Sequence, residues 1–285
     1  MTGPGGLVVV GTPIGNLDDL SPRAAAHLRE ADLVACEDTR RTATLLRHAG
    51  ADTRMLAVHQ HNEAARAAEL VERMRAGQTV ALVSDAGMPL VSDPGARVVR
   101  AAIDAGLPVT VVPGASAVTT ALVASGLAGD AGFRFLGFVP RKGHERRAAM
   151  GAIGALEVPA VLFESPRRLP ALLAELASAW PDRPIAVCRE LTKLHEEVVR
   201  GTAAEVAALF TSPPRGEIAV VIGPAEITAT ADEGDARLRE MLVVLLDAGL
   251  GAGRAADVAA TLGIAARNRA YRVALAVAGE RRSET

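Results

Sequence analysis

The chain of 285 residues is long enough for two domains, and a composition of 49% hydrophobic and 22% charged residues is that of a packed, soluble protein. A net charge of −2 excludes bulk coating of a polyanion, and an aromatic content of 2% leaves few side chains on which single-stranded bases could stack. Any RNA partner has to be met by a local basic patch.

Leu7 to Val10 reads as a strand feeding a Gly/Pro loop, Gly11 to Asn16, and Ser21-Pro22 supplies an N-cap and a first-turn proline for a helix to about Glu30. Leu33 to Cys36 is a second strand ending in a charged cluster, Glu37 to Arg41, and Gly50 closes the helix that follows. Met55 to Val58 is a short third strand before His59 to Glu63 and an amphipathic helix with Leu70, Val71 and Met74 on its apolar face. A strand at 80 to 84, a helix at 95 to 105 and a strand at 108 to 112 complete an alternating βα half with a mostly parallel sheet.

Pro113 to Ala117 reads as the hinge, with the boundary near 115 to 130. Strands are expected at 133 to 139, 159 to 164, 184 to 189 and 217 to 222, with an edge strand at Val198-Val199 and a short helix capped by Thr202. Ser165-Pro166 repeats the Ser-Pro helix start of Ser21-Pro22. The expected organisation is an α/β domain over 1–117, a second α/β domain over 118–227 and a helical bundle over 228–285. In that bundle Val258 to Ile264 has helix-turn-helix spacing followed by Arg267, Arg269 and Arg272, although balanced charges favour a packing appendage or dimer cap.

Cys36 and Cys188 lie far apart without paired spacing, which reads as buried, reduced thiols in a cytoplasmic protein. Met1 to Gly6 lacks the basic and apolar regions of a secretory signal, so none is expected. Residues 105 to 129 carry no charge, but Pro113, several glycines and a series of Ser and Thr divide the run, and a strand, a turn and a helix are expected instead of a membrane span.

The stretch that organises the rest is Ser84-Asp-Ala-Gly-Met-Pro-Leu-Val-Ser-Asp-Pro-Gly95. It leaves the carboxyl end of a buried strand and enters a helix, the place where open α/β sheets bind ligands, and its Asp, Gly and Pro residues leave backbone polar groups uncovered. Asp85 and Asp93 also read as turn residues bonding their own loop, and Gly11 and Gly15 as plain turn glycines. His59 and His61 could begin a metal site, but a third ligand at motif spacing is missing, so no metal is expected.

Together with Val10 to Asn16, Cys36 to Arg40, His61-Asn-Glu63, Val112 to Ser116, Gly137 to Pro140, Phe163 to Pro166 and Arg189 to Lys193, this stretch resembles the bacterial small-subunit rRNA cytidine 2′-O-methyltransferases of the tetrapyrrole methylase superfamily. The resemblance runs in order from residue 7 to about 224 and more weakly into the tail. It implies two α/β domains of the tetrapyrrole methylase type with S-adenosylmethionine held in the cleft between them, methyl transfer to a ribose 2′-oxygen of a decoding-region cytidine of 16S rRNA in the small ribosomal subunit, and a homodimer. The donor site so implied consists of Pro13, Gly15, Asp85, Gly87, Met88, Val91, Ser92, Asp93, Pro113, Ser116, Ala117, Phe163 and Glu164.

The reaction needs alignment and removal of a hydroxyl proton, and neither a metal nor a covalent nucleophile. Glu37, Asp38, Glu164 and Lys193 are the catalytic candidates, unranked, with His61, Glu63, Glu190 and His195 also at strand ends. Glu37 and Asp38 with Arg40 could equally form a structural ion pair. Arg141, Lys142, Arg146 and Arg147 form the densest basic run, and Arg40 adds to it; they read either as a solvated face or as phosphate contacts. Two alternatives stay open: a tetrapyrrole or corrin acceptor, and a non-catalytic RNA-binding assembly factor.

Overall fold

The computed structural model describes residues 5–225 and 233–283, with side chains described to 225 and over 238–279. The chain divides into two compact units, Met1–Ala225 and Glu226–Thr285. The boundary expected between 227 and 228 lies outside the described residues.

The first unit contains two five-stranded sheets. In the first, β1 (Leu7–Val10), β2 (Leu33–Cys36), β3 (Met55–Ala57), β4 (Val80–Leu82) and β5 (Val109–Val112) run parallel in the order β3-β2-β4-β1-β5. Helices cover both faces, which explains why these strands read as unbroken apolar runs. Leu70 and Met74 of α3 (Glu63–Arg75) with Val98 and Ala102 of α4 (Ala96–Asp104) pack on Leu7, Val9, Ala35 and Leu82. On the other face, Leu28 of α1 (Pro22–Glu30) and Leu45 and Leu46 of α2 (Thr39–Ala49) pack on Val8, Val10, Val34 and Cys36. Burying a leucine or methionine side chain completely contributes about 1.5–3 kcal/mol, so these contacts hold the sheet's carboxyl edge rigid beneath its loops.

The expected caps form. Ser21 Oγ accepts from Ala24 N–H at 3.1 Å with Pro22 in the first turn, and Gly50 ends α2 at a φ of 66°. Helix α4 has no side-chain cap of its own. Its first turn is satisfied by the buried Glu63, whose Oε1 accepts from Gly95 N–H at 2.9 Å and from Arg97 N–H at 2.8 Å.

The second sheet is mixed. Its order is β6 (Arg134–Phe138), β7 (Ala160–Glu164), β10 (Ile218–Ile222), β8 (Pro184–Arg189), β9 (Glu197–Thr202). Only β6 and β7 pair in parallel; the other three pairs are antiparallel. Helix α5 (Ala117–Ser125), which follows the loop at Pro113, packs Val118, Ala121 and Leu122 on one face of this sheet. On the other face lie α6 (Gly143–Gly154), α7 (Leu169–Ala179) and α8 (Ala203–Leu209). The expected capping of α8 by Thr202 is a full capping box with Glu205.

Ser165-Pro166 opens a single turn ahead of α7 and not α7 itself. Ser165 O accepts from Arg168 N–H at 3.0 Å and from Leu169 N–H at 3.1 Å, and α7 begins at Leu169 with Pro170 in its first turn. The Arg168 side chain donates to Val139 O and lies 3.1 Å from Glu164 Oε2. The uncharged run from 105 to 129 resolves into β5, a turn and α5. Among the described residues no helix is long and apolar enough to cross a membrane.

The second unit comprises α9 (Glu233–Asp247), α10 (Ala252–Thr261) and α11 (Arg267–Ser283) around Leu238, Leu242 and alanines of α10 and α11. Helix-turn-helix spacing is thus realised as two helices joined by a short turn, with Arg267 paired to Asp257 at 2.6 Å.

Candidate functional site

Three loops leave the carboxyl edge of the first sheet together. Gly11 N–H bonds to Val112 O, Thr12 N–H to Gly87 O and Thr12 Oγ1–H to Gly87 O, at 2.9, 2.9 and 3.1 Å. Glycine is required where two of them touch: a Cβ on Gly11 would stand 2.5 Å from Gly114 N. The first loop also reaches the second sheet, since Asn16 N–H donates to Thr192 Oγ1 at 3.0 Å and Gly15 packs against Leu191 to Lys193.

A cavity of about 380 Å³ lies between these loops and the strand ends of the second sheet. Of the residues expected at a donor site, Gly87, Met88, Val91 to Asp93, Ser116, Ala117, Phe163 and Glu164 line it. Pro13 and Asp85 face a separate small cavity of about 90 Å³ beside Arg41 and Thr42. Gly15 supports the Lys193 loop, and Pro113 is exposed at the end of β5; neither lines the larger cavity. Sequence reasoning missed Ile14, Phe138, Leu191, Glu217 and Ala219 of the lining. Their signal was weak but present, because Leu191 lies two residues beyond the end of β8, Glu217 immediately precedes β10 and Ala219 is its second residue.

The four catalytic candidates differ sharply in their surroundings. Asp38 accepts from the Arg40 side chain at 2.7 and 3.1 Å and from its N–H at 2.8 Å, which holds its carboxyl down at about 2. Lys193 sits 2.7 Å from Glu190 and 3.0 Å from Glu217. Desolvation opposes its charge, but the two carboxylates outweigh that and push its pKa up, so it is a cation and no base. Both are therefore corrected as proton acceptors. Glu164 lines the cavity with its side chain fully buried; Oε1 accepts from Ser165 N–H, while Oε2 makes no well-aligned hydrogen bond although Arg168 is 3.1 Å away. Glu37 is pushed upward by desolvation and by Asp85.

Asp93 stands out from this set. Burial raises its carboxyl from 3.8 to about 6, with Glu37 and Asp85 adding repulsion and a hydrogen bond from Ser84 opposing it. It lines the cavity, and its carboxyl is poised near neutral pH. Of the other strand-end groups, Glu63 is occupied in capping α4, and His61 and His195 are exposed. His59 is engaged by Asn62, and among the described residues no group of three potential ligands gathers around a metal.

The basic run also divides. Arg146 donates to Glu175 at 2.6 and 2.8 Å and to Pro140 O, with its side chain only 16% exposed; it is a packing residue and is corrected as an RNA contact. Arg40 is exposed but bound to Asp38. Arg141, Lys142 and Arg147 are exposed, and among the described residues no acid pairs with them.

The family model for Tetrapyrrole (Corrin/Porphyrin) Methylases matches residues 6–207. The chain belongs to the tetrapyrrole methylase family. It is 45% identical over 245 residues to a ribosomal RNA small subunit methyltransferase I from Micromonospora olivasterospora, covering 85% of this chain and 78% of the relative. A protein of the same name from Mesorhizobium japonicum is 44% identical over 269 residues, covering 93% and 90%. Among solved structures, a uroporphyrin-III C-methyl transferase from Thermus thermophilus complexed with S-adenosyl homocysteine matches with a TM-score of 0.57 at 22% identity, covering 77% of this chain and 97% of that one. This last likeness is one of fold.

Proposed function

We propose that the protein is an S-adenosylmethionine-dependent methyltransferase that 2′-O-methylates the ribose of a cytidine in the decoding region of 16S rRNA within the small ribosomal subunit. The observation that carries this reading is the cavity between two sheets of a tetrapyrrole methylase fold, in a chain whose relatives at 44–45% identity are named for small-subunit rRNA methylation. The tetrapyrrole acceptor is disfavoured because the uroporphyrin enzyme shares 22% identity and the fold alone. A non-catalytic factor would have no use for a shaped donor cavity.

The residues fit the donor. A cavity of this size, with apolar walls from Ile14, Phe163, Leu191 and Ala219 and polar groups from Ser116 and Glu217, suits a ligand that is part nucleoside and part amino acid. Gly87 marks the close approach: its φ is 81°, and a Cβ there would stand 3.1 Å from Ile14 Cγ2. The loop from Gly87 to Ser92, with Ser116, Ala117 and Phe163, would hold S-adenosylmethionine, which when bound supplies a methyl group on a sulfonium sulfur.

What the chain supplies is alignment and a proton acceptor. The cross-stitched loops fix the cavity's shape before substrate arrives, so that little reorganisation is left to the reaction. Asp93, ionised above about pH 6, takes the proton of the acceptor hydroxyl on its carboxylate. Glu164 offers a buried carboxylate oxygen with unused hydrogen-bonding capacity. Lys193 ties Glu217, on the cavity wall, to the loop after β8.

The test uses radiolabelled S-adenosylmethionine and small subunits from cells lacking the modification, followed by alkaline hydrolysis, which needs a free 2′-hydroxyl. One newly protected linkage after a decoding-region cytidine is expected. Label on a base, or transfer to a porphyrin or corrin precursor in place of the subunit, would overturn the reading. A homodimer in the cytoplasm completes the proposal; sedimentation at micromolar concentration would give twice the mass of the chain.

A further inference from the structure

The chain has five phenylalanines, and three of them cluster, two of these lining the cavity. Phe135 and Phe138 both pack edge-on against Phe163, with ring centroids 5.0 and 5.8 Å away. Phe135 and Phe138 are an odd number of residues apart on β6, so a regular strand would send them to opposite faces. A bulge between Phe135 and Gly137 puts them on the same face. Gly137 at its centre has a φ of 63°, and a Cβ there would come within 3.3 Å of Ser92 Oγ, in the loop that lines the cavity. Bulges of this kind re-aim a side chain beside a site.

The re-aimed side chain is Phe138. Phe163 behind it is half-buried in the cavity wall, whereas Phe138 lines the mouth and remains 55% exposed. Phe138 is the most exposed aromatic side chain among the described residues, and unlike Phe135 and Phe163 it does not pack on the core. Immediately beyond it the strand turns at Val139-Pro140 and presents Arg141 and Lys142, both exposed and, among the described residues, without acidic partners. A free ring face beside free cations is the composition that binds a single-stranded nucleic acid, with the ring taking a base and the cations taking phosphates.

We infer that Phe138 is the stacking platform for a nucleobase splayed out of the RNA beside the acceptor ribose, with Arg141 and Lys142 holding the flanking phosphates. The inference rests on the rRNA reading above. It runs against the expectation from composition that few side chains are available for base stacking: the few aromatics present are concentrated where one base is needed. The donor's own nucleoside is a poorer occupant for this ring, because a group enclosed by the cavity would meet Phe163 first and would have no use for the cations outside it.

The experiment compares Phe138→Ala, Phe138→Leu and Phe138→Trp in the full chain. Binding to unmodified small subunits is measured by filter retention, and binding to S-adenosylhomocysteine by calorimetry. Alanine and leucine should each weaken subunit binding about tenfold, while tryptophan stays near wild type, because the stacking surface and not apolar volume is what is lost. S-adenosylhomocysteine affinity should fall far less than subunit affinity in the alanine and leucine variants, since Phe138 borders the cavity only at its edge on Phe163. Leucine binding subunits as tightly as phenylalanine would overturn the platform, as would a parallel loss of S-adenosylhomocysteine affinity, which would assign the ring to the donor. If the wild-type protein binds subunits but transfers no methyl group, the methylation reading fails while the platform is still decided by these binding ratios. Absence of wild-type subunit binding would refute the platform as well.

Discussion

Asp93→Asn tests the electrostatics of the cavity directly. In the folded chain this carboxyl titrates at about 6, up from 3.8, chiefly through desolvation and then through Glu37. A carboxyl whose pKa is raised by folding stabilises the protein at low pH, and that contribution is lost as pH rises through about 6. For a fully buried group a rise of this size corresponds to about 3 kcal/mol, and for the partly exposed Asp93 screening reduces it to about 1–2 kcal/mol. The asparagine variant removes the penalty of ionisation. It should therefore be more stable than wild type by about 1–2 kcal/mol at pH 8, and by about half as much at pH 5, where native Asp93 is mostly protonated.

Urea unfolding at the two pH values measures this. Activity should move the other way: a proton acceptor contributes about 10²–10⁴-fold to rate, so the variant should be stable and slow. Wild-type kcat should rise with pH through about 6. Glu37→Gln removes one repulsive neighbour and should shift that rise to lower pH, only part of the way because desolvation remains the larger cause. An advantage of the asparagine variant that is absent at pH 8, or equal at both pH values, would refute the argument, and so would a pH profile that Glu37→Gln leaves in place.

Three further outcomes are expected. Gly87→Ala places a Cβ 3.1 Å from Ile14 at a φ of 81°, so it should raise the S-adenosylhomocysteine dissociation constant in calorimetry while costing about 1–2 kcal/mol of stability. Glu63→Ala strips the acceptor from two N–H groups at the start of α4 and should lower stability by about 1–3 kcal/mol in urea unfolding. Charge reversal at Arg141 and Lys142 should weaken subunit binding and reduce the slope of log affinity against log salt by about 1–2, whereas Arg146→Ala should lower stability and leave that slope unchanged.

The features legible in sequence were those whose cause is local. Ser21 before Pro22, Gly50 after α2 and Thr202 before Glu205 each satisfy backbone groups within one turn, and the structure forms all three. Ser165-Pro166 has the same local pattern and makes one turn before α7 begins at Leu169, while the Arg168 side chain reaches Val139 O and the buried Glu164, contacts that depend on β6 and β7 being neighbours. The order of the second sheet was hidden for a similar reason. Nothing within β10 states that it will run antiparallel between β7 and β8, and Glu217 before it and Ala219 within it reach the cavity only because it does. Asp93 could be read as a loop residue, but its poise near neutral pH comes first from burial in the folded chain and then from Glu37 at the end of another strand.

Backbone strain ties these threads together. Among the described residues the non-glycine positions with positive φ are Leu90, Ser92, Glu190 and Thr192, and all four lie in the two loops that border the cavity. Each such conformation costs about 1–3 kcal/mol and persists only where surrounding contacts over-determine it. Those contacts are present: Asn16 N–H and Glu196 hold Thr192, Glu190 exchanges hydrogen bonds with Glu217, and Gly137 of the β6 bulge leaves room for Ser92. Glycine would relieve the strain but would remove the hydroxyl of Thr192 and the carboxylate of Glu190 that make the stitches. Thr192 and Glu190 thus hold strained conformations for the bonds their side chains make, and the rigidity they confer serves a transfer limited by alignment.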